Sequence, residues 1–245
     1  MKNTLIIVAI SIAALVAAPV FADPTPPKKG GIEEKGYVWN AQEGEKIEAL
    51  KLKGDAKRGQ EAYEVCGACH LPSGAGRPDG TFPQLAGQHA NVIIKQIADI
   101  RGGLRDNPTM YPFAVTLSNA QELADVAAYI QSLCIPLDHG KGSGDAALLK
   151  QGADLYAKEC VTCHGKNGEG DGLKFYPVLA GQHYKYLLRQ VTDIRDGKRR
   201  NANPDMVKIV KKYTNRELDA VVEYMSSLSM PGSMCKPSGK GGKKK

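Results

Sequence analysis

No stretch of this chain alternates polar and apolar residues for long enough to form a strand, which argues against a sheet architecture. Long apolar runs are as scarce, and after residue 22 none could cross a membrane. The one exception, Leu5 to Val20, follows Lys2 and ends in Val20-Phe21-Ala22, the pattern of a cleaved export signal. A membrane anchor is the competing reading, disfavoured by the Pro/Lys-rich segment that follows at once. Residues 1–22 are read as a signal peptide and the mature chain as exported. Methionine is rare too: apart from Met1, the only one before residue 206 is Met110. Six cysteines in an exported chain would ordinarily suggest disulfides, but the spacing of four of them points elsewhere.

What is present is a repeat. Cys66-Gly-Ala-Cys69-His70 recurs as Cys160-Val-Thr-Cys163-His164, an offset of 94 residues. Pro83-Gln-Leu-Ala-Gly-Gln-His89 recurs at the same offset as Pro177-Val-Leu-Ala-Gly-Gln-His183, and Gln96 to Arg101 recurs as Gln190 to Arg195. Asn107-Pro108-Thr-Met110 returns as Asn203-Pro204-Asp-Met206, with the small drift that loops allow. Two copies of about 90 residues mean a duplicated domain, since a solenoid needs more and shorter units. The organisation is a signal at 1–22, an extension at 23–54 without a counterpart, domains at 55–140 and 141–232, and a basic tail at 233–245.

Each copy reads as three helices separated by polar turns, predicted over Asp55–Val65, His89–Arg101 and Asn119–Leu133, then Asp145–Glu159, His183–Arg195 and Asn215–Leu228. Ser118 and Thr214 are candidate caps, with Gln121 and Glu217 three residues on. The extension holds one amphipathic turn or helix around Trp39 to Leu52. Gly59 and Tyr63, like Gly152 and Tyr156, suit a close crossing of the first and last helices against Tyr129 and Tyr224.

The formal charge of +7 is unevenly spread. From Asp55 to His139 the sum is −3, six Lys/Arg against nine Asp/Glu; from Lys141 to Lys245 it is +9, twenty against eleven. Such polarity steers association with charged partners. Lys240-Gly-Gly-Lys-Lys-Lys245 reads as a solvated tail, with electrostatic contact to a membrane surface as its functional alternative. Outside the cytoplasm, nucleic acid is excluded as a partner.

Cys-x-x-Cys-His is the attachment sequence of c-type haem: two thiols add to the vinyl groups and the adjacent histidine reaches the iron. Two matches at equivalent points of a duplicated domain imply two covalent haems, held by Cys66, Cys69, His70 and by Cys160, Cys163, His164. A zinc site would want its ligands converging on one closed centre. For the sixth iron ligand the duplicated Met110 and Met206 are preferred over the equally duplicated His89 and His183, which begin the second helices with a solvent-facing or propionate-contacting role available. Met225, Met230 and Met234 lack partners in the first copy and read as packing. The carbonyls of Pro83 and Pro177 are candidate acceptors for the second ring nitrogens of His70 and His164. Arg101 and Arg195, or Gln88 and Gln182, are candidates for haem propionates, with surface ion pairs as the plain alternative. Cys134 and Cys235 each follow the last helix of a copy; a disulfide between them and a pair of free thiols both remain open.

From about Gly54 to Leu228 these paired motifs resemble the cytochrome c4 family, tandem dihaem class I cytochromes c of bacterial periplasms. The resemblance implies an all-α protein of two cytochrome c domains facing each other about a pseudo-twofold axis, with His70 and Met110 on one iron and His164 and Met206 on the other. It further implies an electron carrier rather than an enzyme. Its donor would be a membrane quinol-oxidising complex or a dehydrogenase, its acceptor a terminal oxidase or reductase. Two rival readings are a cytochrome subunit of a dehydrogenase complex and a dihaem peroxidase or thiosulfate-oxidising enzyme. The enzyme needs an open iron site with acid–base groups beside it, whereas both copies supply the same methionine segment.

Overall fold

The computed structural model describes residues 26–235, so the export signal and most of the basic tail lie outside the described residues. Ten helices follow in order: α1 (Gly44–Lys51), α2 (Ala56–His70), α3 (Ala90–Arg101), α4 (Tyr111–Ala114), α5 (Ala120–Ser132), α6 (Ala146–Glu159), α7 (Val161–His164), α8 (Tyr184–Arg195), α9 (Pro204–Val210) and α10 (Asn215–Ser227). Among the described residues the only β pairings are isolated bridges, Ile135 with Met234 and Asp171 with Tyr176. No described helix is long and apolar enough to cross a membrane.

The helix starts follow from their caps. The Asp55 carboxylate accepts from the Lys57 and Arg58 amides, and that of Asp145 from Leu148. Thr214 and Glu217 form the expected reciprocal box on α10. At α5 the register differs from expectation by one residue: Asn119 is the cap, accepting from the Glu122 amide, while Glu122 takes the Ser118 amide at 2.6 Å. Asn caps as well as Ser does, and the Glu122 carboxylate is a stronger acceptor than the Gln121 amide. Helices α4, α7 and α9 were not foreseen, and α2 runs past the expected Val65 to His70; α4 and α9 lie at the two duplicated methionines. Met110 is the cap residue of one, and Met206 lies within the other rather than in a turn, because Pro204 occupies a first-turn position and starts the helix before it.

In each domain the first helix packs on the last, α2 on α5 and α6 on α10. A Cβ at Gly59 would stand 1.9 Å from the Asp125 carbonyl oxygen, and one at Gly152 would stand 1.9 Å from that of Ala220. Only glycine permits backbones so close. The expected tyrosine pairs sit beside these crossings, Tyr63 on Tyr129 at 5.2 Å between centroids and Tyr156 on Tyr224 at 5.3 Å. Their hydroxyls also work: Tyr63 donates to the Leu71 carbonyl at 3.0 Å and Tyr156 to that of Gly165 at 2.7 Å, closing the chain just after each Cys-x-x-Cys-His.

The domains are joined by reciprocal contacts. Gln182 donates to the Gln84 carbonyl (2.9 Å) and accepts from the Gln84 amide (3.0 Å); Gln88 does the same to Val178, at 3.1 and 2.9 Å. Exchanging the domains maps one pair of bonds onto the other, as a two-fold relation requires. Cys134 and Cys235 form a disulfide, and Ile135 beside it is fully buried in the second domain's core.

The extension straps the same seam. Lys29 donates to the Gly103 carbonyl in the first domain at 3.1 Å, and Ile32 to the Arg200 carbonyl in the second at 2.9 Å. Later in the extension, α1 packs on α3 and α5.

Candidate functional site

The ends of α2 and α7 deliver both Cys-x-x-Cys-His segments to one continuous cavity of about 610 Å³. Cys66, Cys69, His70 and Met110 line one part, and Cys160, Cys163, His164 and Met206 the other. Between them the wall is apolar, built by Ile93, Ile97 and Ile130 of the first domain and Leu187, Val191 and Ile194 of the second. Met225 also reaches the cavity but belongs to the core, and Met230 and Met234 pack on that core.

The histidines are oriented by the loops that follow them. His70 Nδ1 donates to the Pro83 carbonyl at 2.9 Å, and His164 Nδ1 to the Pro177 carbonyl at 3.2 Å. A carbonyl only accepts, so Nδ1 carries the hydrogen and Nε2 keeps its lone pair for a metal. Burial lowers both imidazole pKa values, partly offset by these bonds, which keeps the rings neutral. Burial pushes the Cys66 thiol up to about 11 and that of Cys160 up to about 12. Neither is a thiolate at neutral pH, which disfavours dithiol exchange. Among the described residues no three His, Cys, Asp or Glu side chains converge as a metal cluster would.

Several polar candidates lie elsewhere than expected. His89 Nε2 donates to the Glu169 carbonyl and His183 Nε2 to that of Ala75, both at 2.8 Å across the domain boundary. His183 is buried and His89 half-buried, and neither lines the cavity. Gln88 and Gln182 do line the cavity, and their amides also make the bonds of the seam. Arg101 donates to the Leu117 carbonyl and pairs with Glu45, and Arg195 bonds Asn215, so both guanidiniums brace the approach to the last helix.

In their place stand Arg105 and Arg199, which line the cavity. Arg105 donates to Gln96 (2.9 Å) and Gln190 (3.1 Å), and Arg199 to the same two residues at 3.1 and 2.9 Å. Neither reaches a carboxylate among the described residues. Desolvation and the neighbouring Arg105 push Arg199 down to about 10. Burial would raise the Tyr186 phenol, yet the surrounding guanidiniums, Arg105 foremost, hold it below its usual value. The signal for these residues was in the sequence: Arg105 and Arg199 are 94 apart, as are Gln96 and Gln190.

The donor set fits a haem c. It offers two thiols for thioether bonds, one imidazole nitrogen with its lone pair free, a thioether sulfur, apolar walls, and cations suited to propionate carboxylates. The cavity volume also lies within the ~300–1,000 Å³ usual for ligand sites.

Two helical units that share such a cavity make this a dihaem c-type cytochrome. The family model for cytochrome c matches twice, over residues 56–134 and 149–229. The chain belongs to the cytochrome c4 family: it is 35% identical to cytochrome c4 of Azotobacter vinelandii, across 71% of this chain and 90% of that protein. It is similar to the thiosulfate dehydrogenase electron acceptor of Stutzerimonas stutzeri, 33% identical over 73% of this chain and 90% of the other. The crystal structure of reduced recombinant cytochrome c4 from Pseudomonas stutzeri superposes with a TM-score of 0.63 at 35% identity, covering 71% of this chain and 99% of that one. The protein is therefore a dihaem electron carrier with a covalently bound haem c in each domain.

Proposed function

We propose that this protein is a periplasmic shuttle that moves single electrons between redox proteins and turns over no substrate of its own. Cys66 and Cys69 bond one haem and Cys160 and Cys163 the other. His70 and Met110 would hold the iron of the first, and His164 and Met206 that of the second. The observation that carries this reading is the single cavity into which both histidine–methionine sets open. When bound, the haem irons supply one-electron redox chemistry. The chain's part is to keep each iron site closed, so that its geometry changes little with oxidation state. Nδ1 bonds to Pro83 and Pro177 hold the imidazoles, while the thioethers, as soft ligands, favour the ferrous state and raise the potential.

Export through cleavage after Ala22 agrees with the Cys134–Cys235 disulfide, which persists in an oxidising compartment. The donor is a membrane quinol-oxidising complex or a dehydrogenase, and the acceptor a terminal oxidase or reductase. The opposed charges of the two halves suit two different partners. Similarity to a thiosulfate dehydrogenase electron acceptor favours one specific donor class, a sulfur-compound dehydrogenase.

Met110→Ala and Met206→Ala test the ligation. Each variant is expected to lose the methionine signature of one haem, seen optically and magnetically, while mass spectrometry still finds two haems attached. A variant with both methionine signatures intact refutes the assignment at that residue, and peroxide turnover by the wild type refutes the carrier-only reading.

A further inference from the structure

Behind the first domain's share of the cavity wall, two ammonium groups share one carboxylate. Lys46 of α1 reaches Asp99 Oδ1 at 3.4 Å and Lys95 of α3 contacts Asp99 Oδ2, with side chains only 5%, 2% and 2% exposed for Lys46, Lys95 and Asp99. The sum is one uncompensated positive charge out of contact with water, a costly arrangement. Its cheapest relief is loss of a proton, which lysine allows and arginine does not.

The surroundings press the same way. Asn201, in the loop after α8, donates to Asp99 Oδ2 at 2.8 Å and so competes with Lys95 for that oxygen. Arg199 in the same loop adds positive charge. Glu45 of α1 is engaged by Arg101 at 2.9 Å and offers Lys95 no counter-ion. Tyr37 of the extension is kept neutral, chiefly by burial and also by Asp99, and donates to the Ala202 carbonyl. Lys95 Nζ lies 5.6 Å over the Trp39 ring. Burial, opposed by Asp99 and reinforced by Lys46 and Arg199, brings the Lys95 ammonium down to about 8.

The cluster is one contact from the redox site. Asn201 also donates to Gln96 Oε1 at 3.2 Å, and Trp39, Gln96 and Asn201 all line the cavity. The second domain has no equivalent. At the position 94 residues after Lys95 stands Arg189, which donates to the Gly80 carbonyl at 2.8 Å, and the extension supplies no lysine there.

We propose that Lys95, seated on Asp99 and pressed by Lys46 of the N-terminal extension, is a redox-linked proton site that ties electron uptake in the first domain to proton uptake. The inference rests on the electron-carrier reading for its two couples, and not on the axial ligands. Near and above pH 8, where Lys95 is deprotonated in the oxidised protein, the amine takes one proton from solvent as the first domain accepts one electron from its redox partner. One N–H bond forms and the added negative charge is offset; oxidation returns both.

Redox titration of the holoprotein from about pH 6 to about pH 10, with optical detection, tests the coupling. One couple is expected to fall with rising pH across a bend near 8 and then level off, while the other stays flat. Lys95→Arg keeps the ion pair and a permanent charge. It is expected to abolish the slope and hold that couple at its acid-limb value. Lys46→Met removes the opposing cation and is expected to move the bend to higher pH. Two reversible couples that are both flat, or a slope unchanged in Lys95→Arg, overturn the proton site and leave the carrier reading standing. Fewer than two reversible couples overturn both.

Discussion

The first and second domains share one skeleton but differ in what surrounds it. Cys-x-x-Cys-His, the Pro carbonyl behind each histidine, the Gly–Tyr crossing and the Gln and His reach across the seam all occur twice. The departures lie one layer out. Lys95 faces Arg189 across the duplication, and Asp125, which receives Arg58 at 2.7 Å, has Ala220 as its counterpart at the helix crossing. Leu71 has Gly165, and only the first domain carries an extension. The contrast teaches that duplication kept the residues that hold a haem and let the residues around them diverge, so that the two sites have different surroundings.

The largest effect tests the shared skeleton. Gly59→Ala and Gly152→Ala each drive a Cβ into a backbone carbonyl, and each is expected to destabilise its domain by about 3 kcal/mol or more. Thermal unfolding of the two holoproteins should show losses of similar size; a tolerated substitution in one domain alone would break the equivalence of the crossings.

The seam comes next. Gln88→Ala and Gln182→Ala each remove two cross-domain hydrogen bonds, and about 2 kcal/mol of lost stability is expected from each, at roughly 1 kcal/mol per bond. Chemical denaturation of both variants should give matching losses. A strong imbalance would mean that the extension, which lies on one side of the seam, carries load that the glutamines do not.

The smallest expected effect sharpens the difference between domains. Leu71 follows His70 with φ 64° and ψ 153°, a region suited to glycine, and its counterpart Gly165 adopts φ 75° and ψ 170°. Leu71→Gly is expected to stabilise the first domain by about 1 kcal/mol, the relieved strain exceeding the entropy that glycine adds to the unfolded chain. A rise in the first domain's unfolding midpoint checks it, and a fall would mean that the leucine side chain contributes more than its backbone costs.

Much of the fold was legible because its causes are local. Apolar spacing and the cap at Thr214 placed the starts of the principal helices to within a residue or two, while the cap of α5 fell on Asn119 rather than Ser118 and α2 runs on to His70 rather than Val65. Gly59 and Tyr63 betrayed the helix crossing because a glycine beside an aromatic residue has few other uses on a helix face. Pro83 and Pro177 pointed to the histidine bonds because a residue without an N–H leaves only its carbonyl. The functions of Gln88, Gln182, His89 and His183 were not legible. Their repetition marked them as important, but repetition does not say whether a duplicated side chain faces the cofactor or the other domain.

What the sequence determined by itself is the covalent and local chemistry: two attachment motifs, their spacing, the helices that present them and the absence of strands among the described residues. These depend on residues close together in the chain. Tertiary structure alone decided that Cys134 meets Cys235, that Arg105 and Arg199 close on one pair of glutamines, and that Lys46 joins Lys95 on Asp99. The partners Cys134 and Cys235, Arg105 and Gln190, Arg199 and Gln96, and Lys46 and Asp99 lie about 50 to about 100 positions apart, and only docking of the domains and folding back of the extension bring them within reach of one another.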